Sequence, residues 1–258
     1  MPSSTDIFNE VPKIDYQENT PSIDTAEFIK VIESRRSVRV YTRESIPAHI
    51  VNKCLDLALL APTSSNLQNW EFYWVRSLDK KQEIVKACLS QPAARTAPEL
   101  IVAVSRLKTW PQMRLKMLDL FKNSTTQVPY SARVYYESLV PLVYGQGPLG
   151  IKGLIKKVAI FFRGLSTPTP RGPVSKADMR VWAHKTTALA CENFMLAMRA
   201  HGYDTCPMEG FDEVKIKRVL QLPRDAEVTM VISAGKRAKD GVYGPRVRFE
   251  RELFIKEI

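Results

Sequence analysis

Hydrophobic and polar positions change their period several times along this chain, and each change marks an element. Ahead of residue 24 the chain is polar and punctuated by proline, which predicts an extended arm over residues 1–23. Asp24 or Thr25 then offers a capping oxygen to a helix carrying Phe28, Ile29 and Ile32 on one face. A second helix opens near Pro47, which suits a first-turn position, buries Ile50, Cys54, Leu55 and Ala58, and is stopped by Pro62. Aromatic residues alternating at period two predict a strand over 70–76. A short Lys-rich helix is expected over 79–89, Gln91-Pro92 turns the chain, and the uninterrupted apolar run Leu100–Val104 has the character of a central strand. Farther on, Trp182, Leu189, Phe194, Leu196 and Ala197 surround a long helix from Val181 to His201, with Gly202 available for a left-handed C-cap. Val228–Ser233 is the last expected strand.

Between the strands lies a different kind of segment. Ile151, Leu154, Ile155, Val158, Phe162 and Leu165 recur at helical spacing while Lys152, Lys156, Lys157 and Arg163 load the polar side. Such a stripe either packs on the protein as a lid or dimer arm, or lies in an anionic membrane interface; it is too short and too charged to span. The organisation expected is an arm over 1–23 and one domain over 24–258, with an insertion at about 106–179.

The totals narrow the function classes. At 258 residues and 45% hydrophobic content the chain can build one large core. MPSSTDIFNE has no cationic start and no apolar stretch, so the expectation is a cytoplasmic protein, with peripheral membrane contact through 150–165 as the second reading. Cys54, Cys88, Cys191 and Cys206 are scattered without a CxxC, which predicts reduced packing residues and neither zinc nor a disulfide framework. A net charge of +11 attracts phosphate, anionic lipid or nucleic acid, but no zinc-finger spacing, RNP motif or lysine tail supports a nucleic-acid partner. Gly145-Gln146-Gly147-Pro148-Leu149-Gly150 fits GxGxxG between a strand-like LVPLVY and a helix-like GLIKKVAIFF. The ribose-binding acid expected ~20 residues on is missing.

Candidate chemistry centres on Ala61–Phe72, APTSSNLQNWEF, whose hydroxyls and amides can line the edge of a planar heterocycle, although the same residues also populate ordinary turns. Together with Arg35-Arg36-Ser37-Val38-Arg39, the run Pro207–Asp212 (PMEGFD) and Arg246-Val247-Arg248, in that order, the sequence resembles the FMN-dependent nitroreductase family. The resemblance covers roughly 25–105 and 180–258; residues 106–179 match nothing. It implies an α+β fold with an antiparallel sheet flanked by helices, an intertwined homodimer with an embracing C-terminal arm, and FMN at the subunit interface. Arg35, Arg246 and Arg248 are the expected phosphate group, because a guanidinium fork matches phosphate oxygens and stays charged. Arg36, Ser37 and Arg39 would contact ribityl, phosphate and pyrimidine edge. Pro207 and the backbone of Glu209 and Gly210 would lie near the flavin, with Gln91 at the ring edge by position alone. Thr63, Ser64 and Asn66 would complete the other protomer's site, while Gln68 and Trp70 brace the loop. Asn69 stands where family members commonly have proline, a departure expected to loosen the loop.

The resemblance further implies NADH or NADPH as cosubstrate and small-molecule nitroaromatic or quinone-type acceptors, reduced in a ping-pong exchange. No protein nucleophile is required, which agrees with His49, His184 and His201 lying on helical stretches without a Ser or Cys signature. His184 can face a substrate or be structural. A specialised dehalogenase or dehydrogenase of the same family is the alternative enzyme, although the Glu-Tyr-Lys clamp of the iodotyrosine deiodinase branch is not evident. A flavin-binding membrane-surface protein is the alternative outside enzymes.

Overall fold

A computed structural model describes Val11, Ile14 and residues 16–258. Of the arm expected over 1–23, residues 1–10, 12, 13 and 15 lie outside the described residues; 16–23 carry no helix or strand. The architecture is a four-stranded antiparallel sheet in the order β1-β2-β4-β3, with β1 Trp70–Trp74, β2 Glu99–Arg106, β3 Asp204–Met208 and β4 Ala226–Gly235. Helices cover both faces, as expected for an α+β fold. The apolar run in β2 is explained by its central place: Leu100, Val102 and Val104 face one helical layer with Ile84 and Ile216, while Ile101 and Ala103 face the other with Val51, Cys54, Phe194 and Met198. The first layer is α3 Leu78–Ala87 with α10 Glu213–Leu220, and the second is α2 Ala48–Ala58 with α9 Lys176–Ala200.

One register shift re-aims a side chain. Ala103 pairs with Met230 and Val104 with Val228, so Thr229 is the extra residue of a bulge in β4. Val228 and Met230 are two apart yet pack on opposite faces, as a one-residue insertion requires. Pro207 lies in β3, an edge strand, where its missing N–H leaves no central ladder bond unmade.

The caps follow the sequence closely. Asp24 Oδ1 accepts from the backbone N–H of Ala26 and Glu27 and starts α1, Thr25–Ser34. Pro47 is the N-cap residue of α2 rather than its first turn, and Val51, not Ile50 or Leu55, is fully buried beside Cys54 and Ala58. Gln91-Pro92 opens a short helix, α4 Pro92–Thr96. The long helix starts earlier than expected, at Lys176, because Ser175 and Asp178 form a reciprocal capping box; it ends with Gly202 at φ +83°. All four cysteines are buried and unpaired.

The insertion is helical. α5 Trp110–Lys122 is followed by α6 Tyr130–Val134, a π turn over Tyr135–Leu139 and α7 Val140–Tyr144, then α8 Ile151–Arg163. LVPLVY is therefore helix, and the strand that a dinucleotide fingerprint needs before Gly145 is not there. Pro141 accounts for the wide turn, since its ring would collide with the carbonyl four residues back in a regular helix. Tyr136, Val140 and Tyr144 pack with Leu67, Leu107, Met179 and Trp182 into a third cluster that joins the insertion to the body. Among the described residues no helix is long and apolar enough to cross a membrane.

Candidate functional site

Two groups of the expected site residues gather along the outer edge of β3. The segment after α1 runs beside that strand, with Ser37 bridged to Thr205 and the Val38 N–H donating to the Thr205 carbonyl at 3.1 Å. The C-terminal segment closes over it: Arg36 Nη2 donates to the Gly244 carbonyl at 2.6 Å, the Arg39 N–H to the Gly241 carbonyl at 2.7 Å, and the Arg246 guanidinium to the Arg35 carbonyl. Arg35, Arg36, Ser37, Arg39 and Arg246 are thus brought together, and Arg248 follows on the same exposed segment with its Nη1 on the Val247 carbonyl. Burial pushes the Cys206 thiol up, and the charges of Arg39 and Arg35 oppose it only in part.

Past Pro207 the same edge leads to Glu209 and Gly210, both exposed. Gln91 Nε2 donates to the Gly210 carbonyl at 3.2 Å and the Asp212 N–H to the Ala87 carbonyl at 2.8 Å, so Gln91 does stand beside PMEGFD. A side chain at Gly210 would meet nothing within 4 Å; the backbone there is open to a ligand. A cavity of about 570 Å³ adjoins, lined by Glu209, Phe211 and Glu213 with His184, Lys185 and the bulged Thr229. His184 bridges Thr229 Oγ1 at 3.0 Å and Glu227 Oε2 at 3.1 Å, so it is held by structure while also facing this space. Burial pushes the Glu227 carboxyl up, but Arg180 and His184 outweigh it and hold the group below the usual range.

Thr63, Ser64 and Asn66 do not join these residues within one chain. They sit at the insertion, where Ser64 Oγ meets the Tyr144 hydroxyl at 2.9 Å and Ser65 Oγ meets those of Tyr135 at 2.6 Å and Tyr144 at 3.0 Å. Gln68 braces the loop as expected, its N–H on Thr63 Oγ1 and its amide on Asn66 Oδ1, and Trp70 is buried against Ala61 and Ala190. Asn69 does not loosen it. Buried to 1% exposure, Asn69 donates to the Ala183 carbonyl and its own carbonyl accepts from Arg106, tying the loop to α9 and β2. A larger cavity of about 970 Å³ opens from Ser64 and Ser65 to Trp182, Lys185 and α8. Tyr135, Tyr144, Trp182 and Lys185 are positions that sequence reasoning missed. Only Lys185, beside the noted His184 on α9, carried any local signal.

The donor set suits an anionic, ring-bearing ligand. Among the described residues no carboxylate pairs with Arg36, Arg39, Arg246 or Arg248, and Arg35 reaches Glu192 only at 3.8 Å. Five guanidiniums in this region, with Glu192 at 3.8 Å from Arg35 as their one carboxylate partner among the described residues, favour an anion between them.

The Nitroreductase family model matches residues 32–236, a span that takes in both edges of the cluster just described except its C-terminal arginines. The chain belongs to the Nitroreductase family. Among its relatives, protein DrgA of a Synechocystis strain is 27% identical over 210 residues, covering 81% of this chain and 83% of that protein. The NADH dehydrogenase of Thermus thermophilus is 24% identical over 217 residues, 84% of this chain and 90% of that one. A putative nitroreductase from Exiguobacterium sibiricum, solved in complex with FMN, has the same fold with a TM-score of 0.68 at 24% identity, covering 93% of this chain and all of that one. Within this family's fold, the chain's α8 and its tyrosine-supported loop are set on the common sheet.

Proposed function

We propose that this nitroreductase-family chain is an FMN-dependent oxidoreductase that draws on NADH or NADPH and reduces nitroaromatic or quinone-type acceptors, working as a homodimer. The observation that carries this reading is the cluster of arginines beside the open backbone of Gly210, four of which pair with no carboxylate among the described residues. Family membership, the FMN in the Exiguobacterium structure and the name of the Thermus relative support it. FMN, when bound, supplies the two-electron exchange between nicotinamide and acceptor. Arg35, Arg246 and Arg248 would hold its phosphate, with Arg36, Ser37 and Arg39 on the polar chain. Pro207, Glu209, Gly210 and Gln91 would border the ring.

Thr63, Ser64 and Asn66, remote from the arginines on their own chain, would serve the site of a second copy. That copy has a surface to dock on: Phe28, Ile29 and Ile32 of α1, with Val247, Phe249, Phe254 and Ile255 after the arginines, expose their apolar side chains. The segments that carry these side chains are the ones that Arg36 and Arg246 tie together, so docking there would also help to exclude water from the site.

Purified protein is expected to be yellow with noncovalent FMN. Under anaerobic conditions NADH or NADPH should bleach the bound flavin and a nitroaromatic should restore its colour. A bound flavin that neither nicotinamide reduces would overturn the enzyme reading and leave a flavin-binding role.

A further inference from the structure

α8 is mounted with its apolar side outward. Its inner side is Gly153, Lys156 and Ile160: a Cβ on Gly153 would run into the Val174 carbonyl and the Gln146 amide. Lys156 Nζ caps the end of α7, donating to the Val143 carbonyl at 2.6 Å and the Leu142 carbonyl at 3.2 Å. Arg171 caps the end of α8 in the same way, on the Ile160 and Gly164 carbonyls. These contacts fix the rotation of the helix. The other side holds Ile151, Leu154, Ile155, Val158, Phe161, Phe162 and Leu165, each between 51% and 72% exposed. At ~100° per residue they share an arc of roughly 120°. Within this chain the stripe is left exposed and does not pack as a lid.

The surroundings of the stripe select its partner. From residue 138 to 177 the sequence has six cations, Lys152, Lys156, Lys157, Arg163, Arg171 and Lys176, and no Asp or Glu. Lys152 and Lys157 are exposed on opposite flanks of the apolar arc. A second copy presenting the same face would bring like charges together. No hydrogen bond joins α8 to α1 or to the segment after Gly244 among the described residues. At 13 residues the helix is roughly 20 Å long, too short for a hydrocarbon core of ~30 Å. We infer that α8 is an interfacial helix that seats the protein on an anionic lipid surface, its apolar arc among acyl chains and its flanking cations against phosphate headgroups.

The full chain with its cofactor is mixed with vesicles of phosphatidylcholine alone, or of phosphatidylcholine and phosphatidylglycerol in equal parts, and sedimented. Binding to the anionic vesicles only, weakening as salt screens charges beyond about 10 Å at ~0.1 M, is expected. Lys152→Glu with Lys157→Glu, and separately Leu154→Glu with Phe162→Glu, should each lower the partition coefficient by roughly tenfold or more, at unchanged flavin content and melting temperature. Should either variant fail to fold, hydrogen exchange of wild-type 151–165 decides the matter, since lipid contact must slow it. Three results overturn the proposal: no sedimentation with anionic vesicles at low salt, binding that survives both double variants, or a higher oligomer that Leu154→Glu with Phe162→Glu disperses while vesicles bind neither form.

Discussion

Arg246 and Arg248 are two residues apart, but the structure gives them unequal duties, and flavin binding should separate them. Among the described residues the Arg248 guanidinium has one hydrogen bond, to the neighbouring Val247 carbonyl, so on the proposed reading its part would be charge and hydrogen bonding to the phosphate. Arg246 also donates to the Arg35 carbonyl and so holds the two arginine segments together before any ligand arrives. A hydrogen bond to a charged group contributes about 1.5–3 kcal/mol, which for Arg248→Ala is a rise in Kd of roughly 10- to 150-fold. Arg246→Ala loses the same kind of bond and, in addition, about 0.5–1.5 kcal/mol from the tether, because Arg35 is no longer fixed. Apoprotein titrated with FMN, read by quenching of flavin fluorescence, gives both constants. Riboflavin lacks the phosphate, and its affinity should be nearly unchanged in Arg248→Ala but lowered in Arg246→Ala. Equal weakening of FMN and riboflavin by Arg248→Ala would refute the phosphate assignment, and FMN binding as tight as wild type in Arg246→Ala would refute the tether.

Mixing Arg35→Ala chains with Asn66→Ala chains should restore activity, since each heterodimer then holds one site with both residues intact; no recovery would mean that each site lies within one chain. Leu67→Ala, at a position with 0% exposure where the loop meets the insertion, should cost about 2–5 kcal/mol and lower Tm, and an unchanged Tm would contradict the packing. Backbone N–H groups of Val174 and Ser175 hold the Asp178 carboxyl below its usual value, with burial opposing them. Because the folded value is the depressed one, this stabilisation is present above the unfolded value near 3.8 and is lost as pH falls through the folded one. Asp178→Asn should therefore destabilise the folded chain at neutral pH, the gap from wild type closing in acid; a gap independent of pH would disprove the charge argument.

The elements with strong periodicity were legible in the sequence, and so was the cluster at β3. Leu100–Val104 is apolar on both sides because both sides are covered, and the arginines declare themselves because their motifs do not depend on distant packing. What escaped depends on partners far along the chain. LVPLVY is rich in strand-formers yet is helical, its regular spacing masked by the π turn that Pro141 imposes. Asn69 resembled a weak point in the loop, since nothing local shows that the Ala183 carbonyl, 114 residues on, waits for its amide. The stripe of α8 was plain, but its direction was not: periodicity shows that a helix has an apolar side, and only the seats of Gly153 and Lys156 show which way that side points.

The insertion and the loop explain each other. Ser65, Asn66 and Gln68 all have positive φ, at 55°, 46° and 42°, a conformation that L-residues enter at a cost and keep only when their surroundings over-determine it. The surroundings here are the tyrosines. Tyr135 and Tyr144 hold the Ser65 hydroxyl, Tyr144 holds Ser64, the Tyr136 hydroxyl donates to the Ser65 carbonyl, and Leu67 is buried among the same rings. Tyr135 and Tyr136 are consecutive residues of the π turn, and their rings meet edge to face at 5.3 Å. Removing the segment to leave a minimal domain would therefore release the loop that carries Thr63, Ser64 and Asn66, the residues proposed to serve a neighbouring site. The strained loop, the π turn and the helical insertion form one device, and α8 is attached to it through Lys156 on the carbonyls that end α7.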